Sequence, residues 1–361
     1  MTQTMRTTGR MGSRLRAAPP LLVLGAGAAL SLLVGALMYM AAERADARRQ
    51  FDAVARSAQS SLAAGIRSYT DLLRGAAAVF QSVDAAPGRL QFRRYVRALE
   101  LRKNFPALDA MSFASYVTEA GRVQFIAAVR ADRSADPGGY PGFTIHPPGR
   151  RLSYTVLNFV EPTAPYLDRM GTDLAADPGK AAALDNARDH AQLVASDLPP
   201  TIALPKPHNA LSMRLPVYRS GAASDSVQGR REAYLGLVGI GFSVPALVKG
   251  VLDDTLLRGV HVAVYADTSP DPEKRTLVIG KADRLLSADI GQGALDGEHF
   301  ETVLPVDFNG SLWKAQFRVP KNVLLTSFER YAPLLALLIG SAGTMLIYAF
   351  FTRCSVRAAA L

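Results

Sequence analysis

The chain has 361 residues, 49% hydrophobic and 20% charged, with a net charge of +10 and a single cysteine. That length holds one or two globular cores beside any membrane segment, and one cysteine excludes a disulfide framework. The charge suggests nucleic acid only until it is located: Arg6, Arg10, Arg14 and Arg16 lie at the start, Arg353 and Arg357 at the end, and setting these six aside leaves 35 basic against 31 acidic residues. Nucleic acid is therefore not an expected partner.

Leu21–Ala42 carries no charge over 22 positions, and Tyr331–Phe351 none over 21. At ~1.5 Å per helical residue each is long enough to cross a hydrocarbon layer of ~30 Å. Basic residues flank both stretches and no acidic residue stands in either tail, so the positive-inside rule puts both tails in the cytoplasm. The expectation is a two-pass inner-membrane protein: a tail at 1–20, spans at 21–42 and 331–351, a tail at 352–361, and the middle outside. The first apolar run is too long for a signal-peptide core of about 7–15 residues, so an uncleaved anchor is expected. Cys354 follows the second span as an inert juxtamembrane thiol.

From Glu43 to Val83 apolar residues recur every three or four positions, at Phe51, Val54, Ala58, Leu62, Ile66, Tyr69, Leu73, Ala76 and Phe80. That period predicts one long helix. Its stripe packs either on its own domain or, through small residues such as Ala58, Ala63 and Gly65, on a second copy; a homodimer is the expected assembly. Leu90–Leu101 reads as an amphipathic helix with Arg93, Arg94, Arg97, Arg102 and Lys103 on its solvated face.

Leu108–Tyr116 reads as a strand and Val123–Val129 as its hairpin partner. Asp132–Gly142 is a loop, Leu152–Val160 a strand, Tyr166, Asp168 and Asp173 sit on an acidic loop, and Lys180–His190 is a helix. Ala210–Tyr218 is a further strand and Ser220–Arg231 a polar loop between lobes. A second unit follows: strand Tyr234–Phe242, helix Pro245–Leu257, and strands at Val260–Tyr265, Leu277–Ile279, Phe300–Val306 and Leu312–Val319. The fold class is α+β: a long N-terminal helix bearing two mixed α/β lobes, with a stalk at 43–83, a membrane-distal lobe at 84–219 and a membrane-proximal lobe at 220–320.

No enzyme chemistry is assembled. The five histidines His146, His190, His208, His261 and His299 lack metal-ligand spacing and no Cys pairs join them. Gly241-Phe-Ser-Val-Pro245 breaks the nucleophile-elbow pattern at its last position. Gly236-Leu-Val-Gly-Ile-Gly241 lacks the Lys-Ser/Thr of a phosphate loop. Neither a catalytic residue, a metal nor a cofactor is expected.

Six short motifs, in order, carry a resemblance: Phe105-Pro106, Val160-Glu161-Pro162, Gly171-x-Asp173, Ala187-Arg188, Leu215-Pro-Val-Tyr218 and Tyr234-Leu-Gly236. Over about Phe80 to Leu257 the chain resembles CHASE domains, the extracytoplasmic sensor modules that include the cytokinin receptors. The resemblance implies two PAS-like lobes, the distal one holding a small-molecule ligand. Asp173 stands where those receptors carry the aspartate that pairs with the ligand; a carboxylate capped by backbone N–H groups is the other reading of it. Ser196 stands where they carry a threonine near the pocket. Tyr154 and Val156 on one strand, with Met213 and Leu215 on another, complete the expected ligand-binding set. Thr163–Arg169 departs from the family pattern. Only Thr352–Leu361 follow the second span, so a kinase or cyclase output is expected as a separate partner chain; the alternative is the sensor segment of a truncated histidine kinase or diguanylate cyclase.

Overall fold

The computed structural model describes residues 18–82, 88–197, 210–221, 225–252, 260–267, 276–280, 283–290 and 297–321, with six further positions between 338 and 353. The chain divides into two compact units. One comprises 1–54, 295–300 and 319–361; the other, 55–294 and 301–318, contains most of both sheets. Everything below on the site concerns the second unit.

Helix α1 runs Ala18–Gln81. It includes all of 21–42, but the side chains of most of that stretch, and most of 331–351, lie outside the described residues. Among the described residues no helix is long and apolar enough to cross a membrane. From Ala55 onward the apolar stripe of α1 is buried: Ala58, Leu62, Ile66, Leu73, Ala76 and Phe80 are covered within the single chain. The seam through Leu62 and Ile66 is thus closed by the chain's own domain and is not open to a second copy. Gly65 shows why small residues stand there: a Cβ on it would lie 2.5 Å from the Val251 side chain of the chain's own helix α7 (Val244–Val251).

Two short helices follow, α2 (Arg89–Ala98) and α3 (Leu101–Asn104). The first sheet has the order β2-β1-β5-β4-β3, from β1 (Leu108–Thr118), β2 (Ser153–Glu161), β3 (Val194–Asp197), β4 (Ala210–Tyr218) and β5 (Tyr234–Ser243). All its pairings are antiparallel. Rings from four elements lock α1 and α2 onto it: Phe80 lies 5.7 Å from Phe92 and 5.9 Å from Phe113, and Phe159 lies 5.6 Å from Phe92. The second sheet, order β7-β6-β9-β8, comprises β6 (His261–Ala266), β7 (Arg284–Ile290), β8 (His299–Phe308) and β9 (Ser311–Pro320). Asn309 and Gly310 both have positive φ, as a two-residue Asn-Gly hairpin turn between β8 and β9 requires. The Ala107 N–H donates to the Tyr69 hydroxyl, and the Tyr69 ring leans on Phe242, which meets Phe308. One helix therefore seats both sheets.

Four expectations are corrected. Val123–Val129 is no strand but part of helix α4 (Arg122–Ala131); Phe125, Ile126 and Val129 share a helical face on the core, and a short apolar run does not tell strand from helix by period. The partners of β1 are β2 and β5. The strand Tyr234–Phe242, read as opening the second lobe, is β5 at the centre of the first sheet, so the break at residue 220 falls inside one sheet. The loop there ends in helix α6 (Val227–Ala233), capped by Ser226 accepting from the Gly229 N–H. Leu277–Ile279 is not a strand; β7 begins at Arg284. Residues 253–257 of the second amphipathic helix lie outside the described residues, as do the prolines at 199, 200, 205 and 207.

Candidate functional site

The outer edge of β2 is not left bare. Residues 171–174 lie along it: the Gly171 N–H donates to the Leu157 carbonyl, the Leu157 N–H to Thr172, and the Leu174 N–H to Thr155. A third layer follows, with the His146 N–H donating to Gly171 and the Asp173 N–H to His146. Gly171 has φ +95°, and a Cβ on it would meet the Thr144 carbonyl oxygen at 1.9 Å. Only glycine allows this approach. A sheet edge covered in this way cannot recruit another strand.

Asp173 sits inside that layer with its side chain fully buried. Its Oδ1 accepts from the Thr155 N–H at 2.9 Å and the Ala175 N–H at 3.0 Å. Its Oδ2 lies 3.5 Å from Arg151 Nη1 and has no hydrogen-bond partner among the described residues. The carboxylate thus caps two backbone donors with one oxygen and keeps the other for a cation.

Beside the layer opens a cleft of about 660 Å³, between residues 139–146 and the 3₁₀ turn Ala164–Arg169. Its apolar lining includes Tyr140, Phe143, Leu167 and Met170; His146 and Asp168 supply side-chain polarity. Tyr140, Phe143 and Met170 are buried, whereas Leu167 is 56% exposed at the rim. The size lies in the ~300–1,000 Å³ range of small-molecule sites.

The walls are fixed by two arginines, Arg89 buried and Arg93 half-buried. Opposite Phe113 and Ala114 the register of β2 slips, so Phe159 and Leu157 are paired and Asn158 is the extra residue. Such a bulge re-aims a side chain. Here Asn158 accepts twice from Arg89, through its carbonyl and its Oδ1, each at 2.9 Å. Arg89 also pairs with Asp132 at 3.0 Å and lies 4.1 Å from the centre of the Tyr140 ring. Burial opposes ionisation of Asp132, but hydrogen bonds from Ser134 and Arg89 outweigh it and hold its pKa below the usual carboxylate value. Arg93 bonds Glu161 at 2.7 Å and the Ala135 carbonyl at 2.5 Å. The bond to Glu161 raises the pKa of Arg93 above the ordinary guanidinium value. The basic run expected on one solvated helix face is therefore divided: Arg93 on α2 staples the loop, while Arg94 and Arg97 on α2 and Arg102 and Lys103 on α3 face solvent.

The CHASE-domain model matches residues 86–276, more than half of the chain. The chain belongs to the CHASE-domain family. CHASE domains are extracytoplasmic sensor modules, and the cleft and its walls lie inside the matched region of this one. No curated protein matches the sequence. Among solved structures the chain is similar to an extracellular ligand binding receptor from Desulfohalobium retbaense DSM5692, with a TM-score of 0.41 and 10% identity over 75% of this chain and 40% of that one. The CHASE chain thus spans less than half of that receptor, and a likeness so slight carries no argument.

Of the residues read from the sequence, the fold brings Tyr154, Val156 and Asp173 together, since Val156 bridges to Asp173. The Tyr154 hydroxyl donates to Glu119 Oε2 at 2.5 Å and accepts from the Arg151 N–H. Met213 is elsewhere, buried against Thr70 of α1 and receiving a hydrogen bond from Asn309 Nδ2. Leu215 pairs with Val238, and Ser196 with Ser212. None of the six lines the cleft. Its aromatic wall came instead from Tyr140, within 132–142, read only as a loop, and from Phe143 just after it; the signal was these two rings amid glycine and proline, where apolar residues need a packing reason. Arg214 was also missed. It is buried on β4, where burial pushes its pKa down to about 10.

Proposed function

We propose that this CHASE protein is a membrane-anchored extracytoplasmic sensor that takes a small molecule in the 139–170 cleft and reports it through α1. The observation that carries the reading is a cleft of ligand size, apolar in its floor and polar at its rim, in the region that makes the chain a CHASE domain. The two uncharged stretches at 21–42 and 331–351, each with basic flanks, support the anchor. The first sheet with its loops is the proposed PAS-like distal, ligand-holding lobe, and the second sheet the proximal one; a separate kinase or cyclase chain reads the output.

Asp173 with Tyr154 and Val156 lies one layer from the cleft, because His146 both lines the cleft and hydrogen-bonds residues 171 and 173. In this reading these three residues transmit occupancy to β2, and Ser196, Met213 and Leu215 belong to the sheet behind. The test is a metabolite screen by thermal shift on the full chain in nanodiscs. A hit whose shift is abolished by Leu167→Trp, which fills the rim, supports the cleft. A hit insensitive to Leu167→Trp but lost in Asp173→Ala at unchanged fold moves the site to Asp173.

A further inference from the structure

The cleft lining has one formally charged carboxylate, Asp168, and neither Lys nor Arg belongs to it. Two aromatic rings, Tyr140 and Phe143, lie in the same lining. Aromatic faces attract cations by their quadrupole, and a carboxylate strengthens the hydrogen bonds of an ammonium. Several arginines stand close by, and each has protein partners: Arg93 bonds Glu161 and the Ala135 carbonyl, and Arg130 donates to the Phe143 carbonyl at 2.9 Å. Arg89 is held by Asp132 and Asn158 behind the Tyr140 ring. Arg133, over Gly139, donates to the Arg130 carbonyl.

Arg169 is the exception in strength rather than in kind. Its Nε lies 3.4 Å from Asp168 Oδ2, and the Asp168 side chain is 73% exposed. The Arg169 side chain is 21% exposed, but with its carboxylate side open to water the pair contributes about 1 kcal/mol or less, so a ligand cation can compete with it. A second polar group awaits a partner: the Tyr140 hydroxyl is buried and has no hydrogen-bond partner among the described residues. An orphaned buried hydroxyl is unfavourable, and a ligand N–H reaching the floor would satisfy it.

Resting on the cleft as the ligand site, we propose that it selects a small organic amine: a protonated ammonium held by Asp168 and an apolar body over Phe143, Met170 and Leu167. Anions and neutral molecules of the same shape lose the carboxylate contact and bind less well. Asp168 and Leu167 are exposed, so substitutions there leave the fold intact.

The test compares three probes of one shape, phenethylamine, 2-phenylethanol and phenylacetate, by calorimetric titration of the full chain in nanodiscs of zwitterionic lipid. The expected order is phenethylamine first, with phenylacetate weakest. Asp168→Asn should weaken phenethylamine about tenfold, equivalent to ~1.4 kcal/mol, and leave 2-phenylethanol unchanged; Leu167→Trp should weaken all three. If the alcohol or the acid binds as well as the amine, and only Leu167→Trp weakens them, the cleft stands and the amine assignment falls. If the amine binds equally to wild type and both variants, it lies outside the cleft, and the assignment falls with it. Absence of amine binding at millimolar concentration also overturns it, and leaves the cleft to the metabolite screen.

Discussion

At the scale of single residues, burial decides what each polar group can do. Asp173 is capped by two backbone N–H groups, so Asp173→Ala strands both donors in the interior, at roughly 1–3 kcal/mol each. Asp173→Asn keeps an acceptor oxygen and should retain most of that stability; urea titrations of the two variants measure the difference. Gly171→Ala should be worse tolerated than its size suggests. It puts a Cβ at positive φ and 1.9 Å from a carbonyl oxygen, so a loss of several kcal/mol is expected, beyond the ~1 kcal/mol usual for a point change. Asp189 supplies a pH test. Hydrogen bonding from Arg231, opposed by burial and reinforced by Arg188, holds its pKa far below the usual carboxylate value. A depressed pKa stabilises the folded state above the unfolded value of ~3.9 and ceases to do so as pH falls through the folded one. Asp189→Asn should therefore lower Tm most near pH 7, and the gap from wild type should narrow as pH falls below about 4.

At the scale of elements, two packing devices carry the fold. The α1 stripe is closed by the chain's own sheets and α7, with Leu62 and Ile66 both buried. Charge placed there has no partner and cannot be solvated, so Leu62→Asp with Ile66→Asp should unfold the domain rather than yield a folded monomer. Circular dichroism and light scattering separate the two outcomes. In the second sheet Lys314 on β9 is 3% exposed and bonds Asp267, Asp283 and the Val278 carbonyl. Burial lowers its pKa, but the hydrogen bonds to Asp283 and Asp267 outweigh that and leave it raised. Lys314→Met would leave two buried carboxylates facing each other without a cation, at about 3–5 kcal/mol by analogy with broken buried pairs. The triple change with Asp267→Asn and Asp283→Asn should recover much of it, since the uncompensated charges are then gone.

At the scale of the whole molecule, topology is the open measurement. A reporter active only outside the cytoplasm should work when inserted at Ser224, which lies outside the described residues, and fail when fused after Leu361. Activity at Leu361 would overturn the two-span proposal. Much else was legible in the chain. Uncharged runs, the three-to-four-residue period of 43–83 and the apolar strands at 153–161 and 210–218 are local signals, because a helix face or a strand face repeats within a few residues. The order of short motifs sufficed for the CHASE family, since it follows the chain. What tertiary structure alone decided is where distant segments meet. The stripe of α1 reads the same whether its cover is a second copy or α7 and two sheets. Tyr234–Ser243 reads as an apolar strand in either lobe, and only hydrogen bonding to β1 and β4 places it. The cleft is least legible of all: its aromatic wall, its charged rim and the arginines behind it come from separate loops and α2. Their closeness arises from an extra residue in β2 and a glycine with room for a neighbouring carbonyl, and no periodicity encodes either.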